Sequence, residues 1–191
     1  MKIKQLVLAL MASAITATAF AAVDTYTIDP GHTYPSFEAD HMGLSVLRGK
    51  YTKTSGTVTL DRAAKTGTLD IKIDANSLDF GNEKLNNHAK GPDMFDAAKF
   101  GEVSYKSKSI TFKGDTPATV DGELTLHGVT RPVTLVINKF KCIEHPMHKK
   151  EVCGADASAE FKRSDFGISY GLPRFAPEVK LVIEVEAVKS N

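Results

Sequence analysis

Tryptophan is absent from the 191-residue chain, cysteine occurs only twice, and neither sign of charge is in excess. Two cysteines are too few for a disulfide-dense scaffold, and a chain that is 42% hydrophobic and 25% charged is neither disordered nor collagen-like. Beyond residue 22 there is no apolar run of the roughly 20 residues that cross a bilayer as a helix. What is left is the composition of an ordinary globular domain.

The N-terminal residues differ in composition from the rest of the chain. Lys2 and Lys4 precede an apolar run of about ten residues, which ends in the small residues of Ala19-Phe20-Ala21. This order is typical of a secretory signal peptide, and the run is too short to span a membrane. We therefore predict a signal peptide over residues 1–21 and a single exported domain over residues 22–191.

The net charge of the mature domain argues against a nucleic-acid partner. Removal of the signal peptide takes away two lysines and leaves 22 basic and 23 acidic residues, a formal net charge of −1. Nucleic-acid binding draws much of its affinity from basic residues that neutralise phosphates.

A domain of this size buries about 70% of its unfolded surface, which is enough for one core.

Alternation of apolar and polar residues dominates the mature chain. It is clearest at residues 68–74, where three apolar side chains point one way and four polar ones the other. This pattern is typical of an antiparallel strand with one face in water. Its recurrence predicts eight or more strands, and hence a barrel or a sandwich. The other segments are 26–28, 36–41, 46–51, 58–60, 103–105, 110–112, 120–126, 133–137, 155–161 and 179–188.

One segment departs from this alternation. Residues 82–90 lack β-branched side chains, begin at a possible helix cap, Asn82, and stop at Gly91-Pro92. These signals predict one short helix, and residues 93–100 predict a further helical turn. Two interpretations of that turn stay open, a lid over one barrel mouth or ordinary core packing under a long connection. Its apolar residues are Met94, Phe95 and Phe100.

Small residues recur on the apolar faces of the strands. They are Ala39, Gly122, Ala155, Ala157 and Ala159. An eight-stranded barrel is either filled by side chains or holds one slender ligand, and small inward residues leave volume for a ligand. The alternative is that long side chains from the opposite wall fill the gap.

The two cysteines predict a disulfide. Cys142 and Cys153 would close a polar 12-residue loop in an exported chain, where thiols oxidise. The alternative is a zinc or Cu(I) site, because His145, His148 and Met147 lie between the two thiols. Oxidation would consume both thiolates, and the histidine spacing matches no common zinc motif, so the disulfide is favoured.

No catalytic constellation emerges from the sequence. Residues 167–171 match the G-x-S-x-G nucleophile elbow, but Pro173 and Pro177 follow where that motif needs a helix, and no histidine lies later in the chain. His41 or His127 could serve acid–base chemistry inside a barrel, yet nothing places a second reactive group beside either one. We predict no catalytic residue, no resident metal and no cofactor.

Several segments of the mature chain point to one known family. They are His32 with Phe37, His41-Met42-Gly43, residues 46–51, residues 122–133 with the pattern G-x-L-T-x-x-G-V-T-x-P-V, and residues 163–168. Together they resemble the YceI-like proteins of the bacterial periplasm, which implies a periplasmic location. The resemblance runs from about Tyr26 to Val188.

The resemblance implies an all-β fold, an extended lipocalin-like eight-stranded antiparallel barrel with one short helix and a lid segment. It also implies a binding protein that holds a polyisoprenoid, an isoprenoid quinone or another amphiphile in its interior, without catalysis. Analogy with the family suggests a cytochrome b561-type membrane protein as a partner. The oligomeric state is left open. The expected cavity residues are Phe37, Ala39, Leu124, Leu135, Ala157, Phe161, Ile183, Met94, Phe95 and Phe100.

A small outer-membrane barrel is the alternative from a different class, since such barrels share the size, the export signal and the alternation. The absence of tryptophan and of two aromatic girdles argues against it, as does the C-terminal sequence Val188-Lys189-Ser190-Asn191.

Overall fold

The computed structural model describes residues 23–190, so the signal peptide predicted for residues 1–21 lies outside the described residues. No helix in this range is long and apolar enough to cross a bilayer. The range holds eleven strands and one α-helix. They are β1 (Asp24–Ile28), β2 (Tyr34–His41), β3 (Ser45–Tyr51), β4 (Thr54–Asp61), β5 (Thr66–Asp74), β6 (Leu78–Asp79), α1 (Glu83–Lys90), β7 (Glu102–Lys113), β8 (Thr116–Leu126), β9 (Val129–His145), β10 (Lys150–Lys162) and β11 (Glu178–Lys189).

The strands form a closed antiparallel barrel. The hydrogen-bonded order is β1, β4, β5, β7, β8, β9, β10 and β11, and β1 closes the ring by pairing with β11. At the closure Tyr26 lies opposite Lys189 and Ile28 opposite Ala187. The eight-stranded antiparallel barrel predicted from the sequence is therefore confirmed.

The remaining three strands lengthen the wall at one end. β2 pairs with β11 beyond β1, β3 pairs with β2, and β6 pairs with β3. Each of them continues a neighbouring strand along the chain after a short break, at residues 29–33, 52–53 and 75–77. The barrel therefore has eight long strands connected in chain order, and three of them are split in two (β1 with β2, β3 with β4, and β5 with β6). The length of these strands makes the interior elongated.

The alternation of side chains determines which face is inside. On β5, Leu69 and Ile71 pack on the core, while Asp70 and Lys72 form ion pairs on the outer surface with Lys106 and Glu102. Other strands alternate in the same way, with the exposed Val136 and Val182 as apolar exceptions on the outer face. The interior is therefore apolar and the outer surface carries the charges, as period-two patterning requires.

The helix predicted at residues 82–90 is confirmed, and the further turn is different. The Asn82 side chain caps α1 by accepting a hydrogen bond from the Leu85 N–H at 3.0 Å, and the chain leaves the helix at Gly91. The following residues form hydrogen-bonded turns, and the last of them is a single helical turn in which the Phe100 N–H donates to the Asp96 carbonyl oxygen at 2.8 Å. Asp96 has a left-handed φ of 43°, which a continuing helix cannot accommodate.

Candidate functional site

An elongated cavity of about 420 Å³ occupies the barrel interior. Its wall draws on every strand except β6 and on the segments around α1 and residues 163–176. Most of the lining side chains are aliphatic or aromatic. The volume lies within the range of small-molecule binding sites, and the lining is chemically suited to an apolar guest.

Nine of the ten residues expected from the sequence line this cavity. The tenth, Phe100, lies outside the lining. Its ring packs edge-on against His127 at a centroid distance of 4.5 Å and lies against Gly128. Its apolar surface is therefore covered by the β8–β9 turn and not by a ligand. The nine are Phe37, Ala39, Leu124, Leu135, Ala157, Phe161, Ile183, Met94 and Phe95.

The small inward residues have different roles. Ala39, Ala155 and Ala157 line the cavity, so their missing side-chain volume remains open. Gly122 instead accommodates the Tyr105 ring, because a Cβ at this position would lie 2.5 Å from its Cζ and hydroxyl. At Gly122 a side chain from the neighbouring strand fills the gap, whereas on β2 and β10 the gap contributes to the cavity.

One end of the cavity is covered by α1 and by residues 163–176, the covering segment. His88 of α1 packs edge-on against Tyr170 at 5.0 Å between ring centroids, and His41 lies 5.3 Å from Phe175. All four of these rings line the cavity. This end therefore combines aromatic surface with imidazole groups, and it is more polar than the rest of the wall.

The segment after α1 reaches the same end. Met94 and Phe95 line the cavity, and the Phe95 ring lies 6.1 Å from Phe37 and 6.4 Å from Tyr51 between centroids. Phe95 therefore packs on the core and also borders the open volume. The segment thus combines the two interpretations from the sequence, a lid over one barrel mouth and core packing under a long connection.

Arg163 is the buried cation of the cavity wall. Its Nη1 donates to the Ile168 carbonyl oxygen at 3.0 Å and its Nε donates to that of Ala176 at 3.4 Å. Burial lowers the pKa of this guanidinium. Because both bonds run to the backbone of the covering segment, Arg163 holds residues 163–176 in place over the cavity.

Two hydroxyl groups at mid-height contrast with the rest of the lining. Tyr51 ends β3 and Thr54 begins β4, and both are buried residues that line the cavity. Within residues 23–190, the Thr54 Oγ1 is buried without a hydrogen-bond partner. Burial raises the pKa of Tyr51 well above its usual value, so its hydroxyl stays protonated.

At the other end, a charged network joins the strand termini. The Tyr26 hydroxyl donates to Glu151 at 2.5 Å, and Arg62 donates to both oxygens of the same carboxylate at 2.8 and 2.9 Å. Burial alone would raise the pKa of Glu151, but these hydrogen bonds outweigh it and hold the pKa below its usual value. The network ties β1, β4 and β10 together.

Comparison with known proteins agrees with this geometry. The YceI-like domain family matches residues 26–187. The chain belongs to the YceI-like family. A protein named YceI from Salmonella arizonae is 31% identical over 184 residues, which is 95% of each chain.

Solved structures show the same fold as this YceI-like chain. The Campylobacter jejuni YceI protein superposes with a TM-score of 0.68 at 22% identity, over 97% of this chain and 100% of that one. Burkholderia cenocepacia BcnA gives 0.65 at 23% identity, over 80% and 95% of the two chains. A structure described as a polyisoprenoid binding domain from Saccharophagus degradans gives 0.60 at 13% identity, over 86% and 98%.

The residues that carry the YceI-like resemblance mostly have structural partners. His127 Nδ1 lies 3.1 Å from the Phe166 carbonyl oxygen, which joins the β8–β9 turn to the segment after β10. Gly167 caps the short 3-10 turn Arg163–Phe166 with a left-handed φ of 79°. The family motifs therefore shape the covered end of the barrel, and the G-x-S-x-G match at residues 167–171 has no helix after it.

The predicted disulfide is confirmed, and the thiolate metal site is wrong. Cys142 and Cys153 face each other across the β9–β10 pair and are covalently bonded. Because both sulfurs are consumed, the alternative that combined them with the loop histidines loses half of its ligands. His145 and His148 stack at 4.7 Å between ring centroids on an exposed turn.

A separate group of possible metal ligands lies on the outer surface. Asp29, His32 and Glu186 each offer one ligand atom, and these atoms lie within 4.8 Å of one another. Asp29 and His32 are already paired, with Oδ2 and Nδ1 2.8 Å apart, and the His32 side chain is 65% exposed. None of the three residues lines the cavity, and we assign the group no role in the function of the barrel.

The sequence interpretation missed several residues of the cavity wall. Leu69, Ile71 and Ile73 line it, and their alternation on β5 was a sufficient signal to include them. Tyr51 and Thr54 were missed for a different reason. Nothing local to a hydroxyl-bearing residue indicates whether the folded protein supplies it with a partner.

Proposed function

We propose that this YceI-like domain is a binding protein that holds a long apolar molecule, a polyisoprenoid or an isoprenoid quinone, inside its barrel for transport, storage or sequestration. The observation that carries this proposal is the elongated interior cavity of about 420 Å³ with a mainly aliphatic and aromatic wall. The Saccharophagus degradans neighbour, described as a polyisoprenoid binding domain, supports the same class of ligand.

The hydrophobic effect supplies enough free energy for such binding. At about 0.8 kcal/mol per buried methylene, a chain of about 20 carbons gains about 16 kcal/mol on leaving water. Association costs roughly 4–15 kcal/mol in lost freedom. The balance favours binding with few polar contacts, and no reactive group is required for it.

The polarity of the barrel favours this proposal over a membrane-spanning barrel. A barrel that crosses a bilayer turns its apolar side chains outward, toward lipid. Here the aliphatic side chains of β5 point inward, and the outward positions Asp70 and Lys72 form ion pairs with neighbouring strands. An outer surface with charged groups at mid-strand is suited to water.

A periplasmic location agrees with two features of the chain. The disulfide between Cys142 and Cys153 is of the kind that persists in oxidising compartments, and residues 1–21 have the composition of a signal peptide. A cytochrome b561-type membrane protein, suggested by family analogy, is the partner that we propose. Such a partner would connect the barrel to membrane-bound quinone.

The test is to recover the natural guest. The full-length chain is expressed with its own leader, purified from the periplasm without detergent, and extracted with organic solvent for mass spectrometry. We expect a long-chain isoprenoid at close to one molecule per protein. An unrelated exported protein, purified identically, controls for lipid carried over from the membrane.

Two results would contradict the proposal. One is a protein that is repeatedly empty and takes up neither a polyprenyl alcohol nor an isoprenoid quinone when these are added. The other is a guest that is chemically altered during prolonged incubation with the protein, which would indicate an enzyme.

A further inference from the structure

Most of the hydroxyl-bearing residues of the cavity wall either bond to the protein or meet water. Thr33, Ser36 and Tyr105 have protein partners: Thr33 bonds with the backbone of Glu186 at 3.2 Å, Ser36 donates to the Tyr34 carbonyl oxygen at 3.1 Å, and the Tyr105 hydroxyl lies 2.9 Å from two carbonyl oxygens. Tyr170 is 45% exposed and meets water. Within residues 23–190, Tyr51 and Thr54 are the two that neither bond to the protein nor lie in exposed residues.

Thr54 carries a buried hydroxyl group without a partner. Across residues 23–190 its Oγ1 is the buried side-chain oxygen that has no hydrogen bond, and the nearby Tyr51, whose residue is 7% exposed, also lines the cavity. Native proteins satisfy nearly all buried polar groups, since an unsatisfied one costs about 1–3 kcal/mol. The Thr54 hydroxyl, three residues along the chain from the Tyr51 hydroxyl, therefore needs an explanation.

Their position directs them toward the ligand space. Thr54 lies on the inward face of β4, which continues through Val58 and Leu60, and these residues also line the cavity. The Tyr51 ring packs near Phe37 and Phe95, at 6.2 and 6.4 Å between centroids. Both residues therefore flank the break between β3 and β4, midway along this part of the wall.

The ionisable side chains of the lining are at other positions. They are Asp40, His41, His88 and Arg163. His41 and His88 contact Phe175 and Tyr170 of the covering segment, and Arg163 bonds to the same segment. Lys53 lies in the β3–β4 break, but its side chain is 74% exposed and pairs with Asp74 outside the cavity lining. The cavity side of the break thus offers neutral hydroxyls without an ion to balance a charged guest.

We propose that Tyr51 and Thr54 form a polar subsite that hydrogen-bonds a neutral oxygen, a hydroxyl or a carbonyl, on the long apolar ligand. The inference rests on the proposed function and narrows it. Each hydroxyl both donates and accepts, so the pair suits either kind of oxygen. An ionised carboxylate or phosphate would lose its hydration at this depth without a cation to replace it.

The test compares three ligands with one carbon skeleton: phytane, phytanol and phytanic acid. Each displaces the neutral fluorescent probe N-phenyl-1-naphthylamine from the full mature protein at pH 8. The quantity measured is the affinity for phytanol relative to phytane, because this ratio cancels the contribution of the shared chain. Phytanic acid, ionised at this pH, is expected to bind more weakly than phytanol.

Tyr51→Phe and Thr54→Val remove one hydroxyl each with little change in shape. We expect each to lower the phytanol-to-phytane affinity ratio by about 2- to 13-fold, the equivalent of one hydrogen bond. Both variants should melt at or above the wild-type temperature, because they remove a buried group that has no protein partner. Tyr26→Phe is the matched control, since its hydroxyl bonds to Glu151 outside the cavity lining. It should lower stability and leave the ratio unchanged.

The outcomes distinguish the subsite from the proposed function. An unchanged ratio in both variants, with all three ligands still bound, overturns the subsite and leaves the lipid-binding proposal intact. A melting temperature that falls in Tyr51→Phe as far as in Tyr26→Phe also overturns it, since the hydroxyl would then serve the fold. A wild-type protein that binds none of the ligands overturns the proposed function and the subsite with it.

Discussion

A single hydroxyl has a measurable effect where it joins a charged network. The Tyr26 side chain is completely buried, and its hydroxyl donates to the Glu151 carboxylate, which Arg62 also binds. Tyr26→Phe removes this charge-assisted bond, and we expect a loss of about 1.5–3 kcal/mol in the free energy of unfolding. Urea denaturation of the two proteins measures the difference.

Tyr34→Phe serves as the control for that measurement. The Tyr34 hydroxyl also has a partner, the Gly31 carbonyl oxygen at 2.9 Å, but this bond is exposed to water. Its loss should change stability by less than about 0.5 kcal/mol. Equal effects of the two substitutions would show that the Glu151 network contributes nothing beyond an ordinary surface bond.

The Asp29–His32 pair gives a prediction about pH. The hydrogen bond to Asp29 raises the pKa of His32 above 6.5, and the same bond lowers the pKa of Asp29 below 3.8. The stabilisation from His32 is present below pH 6.5 and is lost as pH rises through its folded pKa. That from Asp29 is present above pH 3.8 and is lost as pH falls through its folded pKa.

The pair therefore stabilises the fold most between about pH 3.8 and 6.5, the two reference pKa values. An NMR titration of the His32 ring should give a pKa above 6.5 that returns toward 6.5 in Asp29→Asn. A His32 pKa at or below 6.5 in the wild-type protein would contradict the assignment.

The sequence predicted whether a strand side chain points into or out of the barrel better than it predicted which residues that side chain contacts. Alternation was sufficient to place Phe37, Leu124 and Ile183 on the cavity wall, because strand geometry alone sends every second side chain inward. The position of Phe100 depended on a contact with His127, which lies on a later strand connection. Partners of this kind are set by tertiary packing, which local patterning does not contain.

At the scale of elements, the β9–β10 hairpin combines a long antiparallel pair with a covalent link. Cys142→Ser together with Cys153→Ser should lower the free energy of unfolding by up to about 3 kcal/mol, the chain-entropy contribution of a loop of this size. Neither cysteine lines the cavity, so bound lipid per folded protein should stay constant. Chemical denaturation and lipid extraction of the same samples measure both quantities.

Treatment of the wild-type protein with a reductant provides the matched control, because it breaks the same bond without a substitution. It should reproduce the loss of stability seen in the double variant. A loss of lipid in either sample while the barrel remains folded would assign the hairpin a part in binding, contrary to this prediction.

Helix α1 shows why some elements are predictable from local sequence and others are not. Its start is determined by Asn82 and its end by Gly91, two residues whose effects act within one turn. The turns at residues 93–100 contain residues that are compatible with a helix, yet the N–H groups of residues 94–97 bond back to Ala89, Lys90 and Gly91, and only the last turn, from Asp96 to Phe100, is helical. Met94 and Phe95 of these turns line the cavity.

At the scale of the whole molecule, the cavity depends on where small residues lie around the ring. Ala157 of β10 and Ala39 of β2 lie on strands that flank β11, and both border the open volume. Ala159 lies two residues from Ala157 on the same face of β10, but it packs within the buried core and does not line the cavity. The same substitution at Ala157 and at Ala159 therefore tests whether the space beside each residue is open to a ligand or already filled by the core.

Ala157→Leu should place its added carbons in the cavity. We expect the melting temperature to stay constant or rise, because new apolar surface is buried without displacing a neighbour, and we expect lipid per folded protein to fall. Ala159→Leu should overpack the core and lower the free energy of unfolding by about 1–3 kcal/mol, with lipid per folded protein unchanged. Thermal melts and quantitative lipid extraction check both variants. Full lipid occupancy in Ala157→Leu would mean that the ligand lies elsewhere than in the barrel interior.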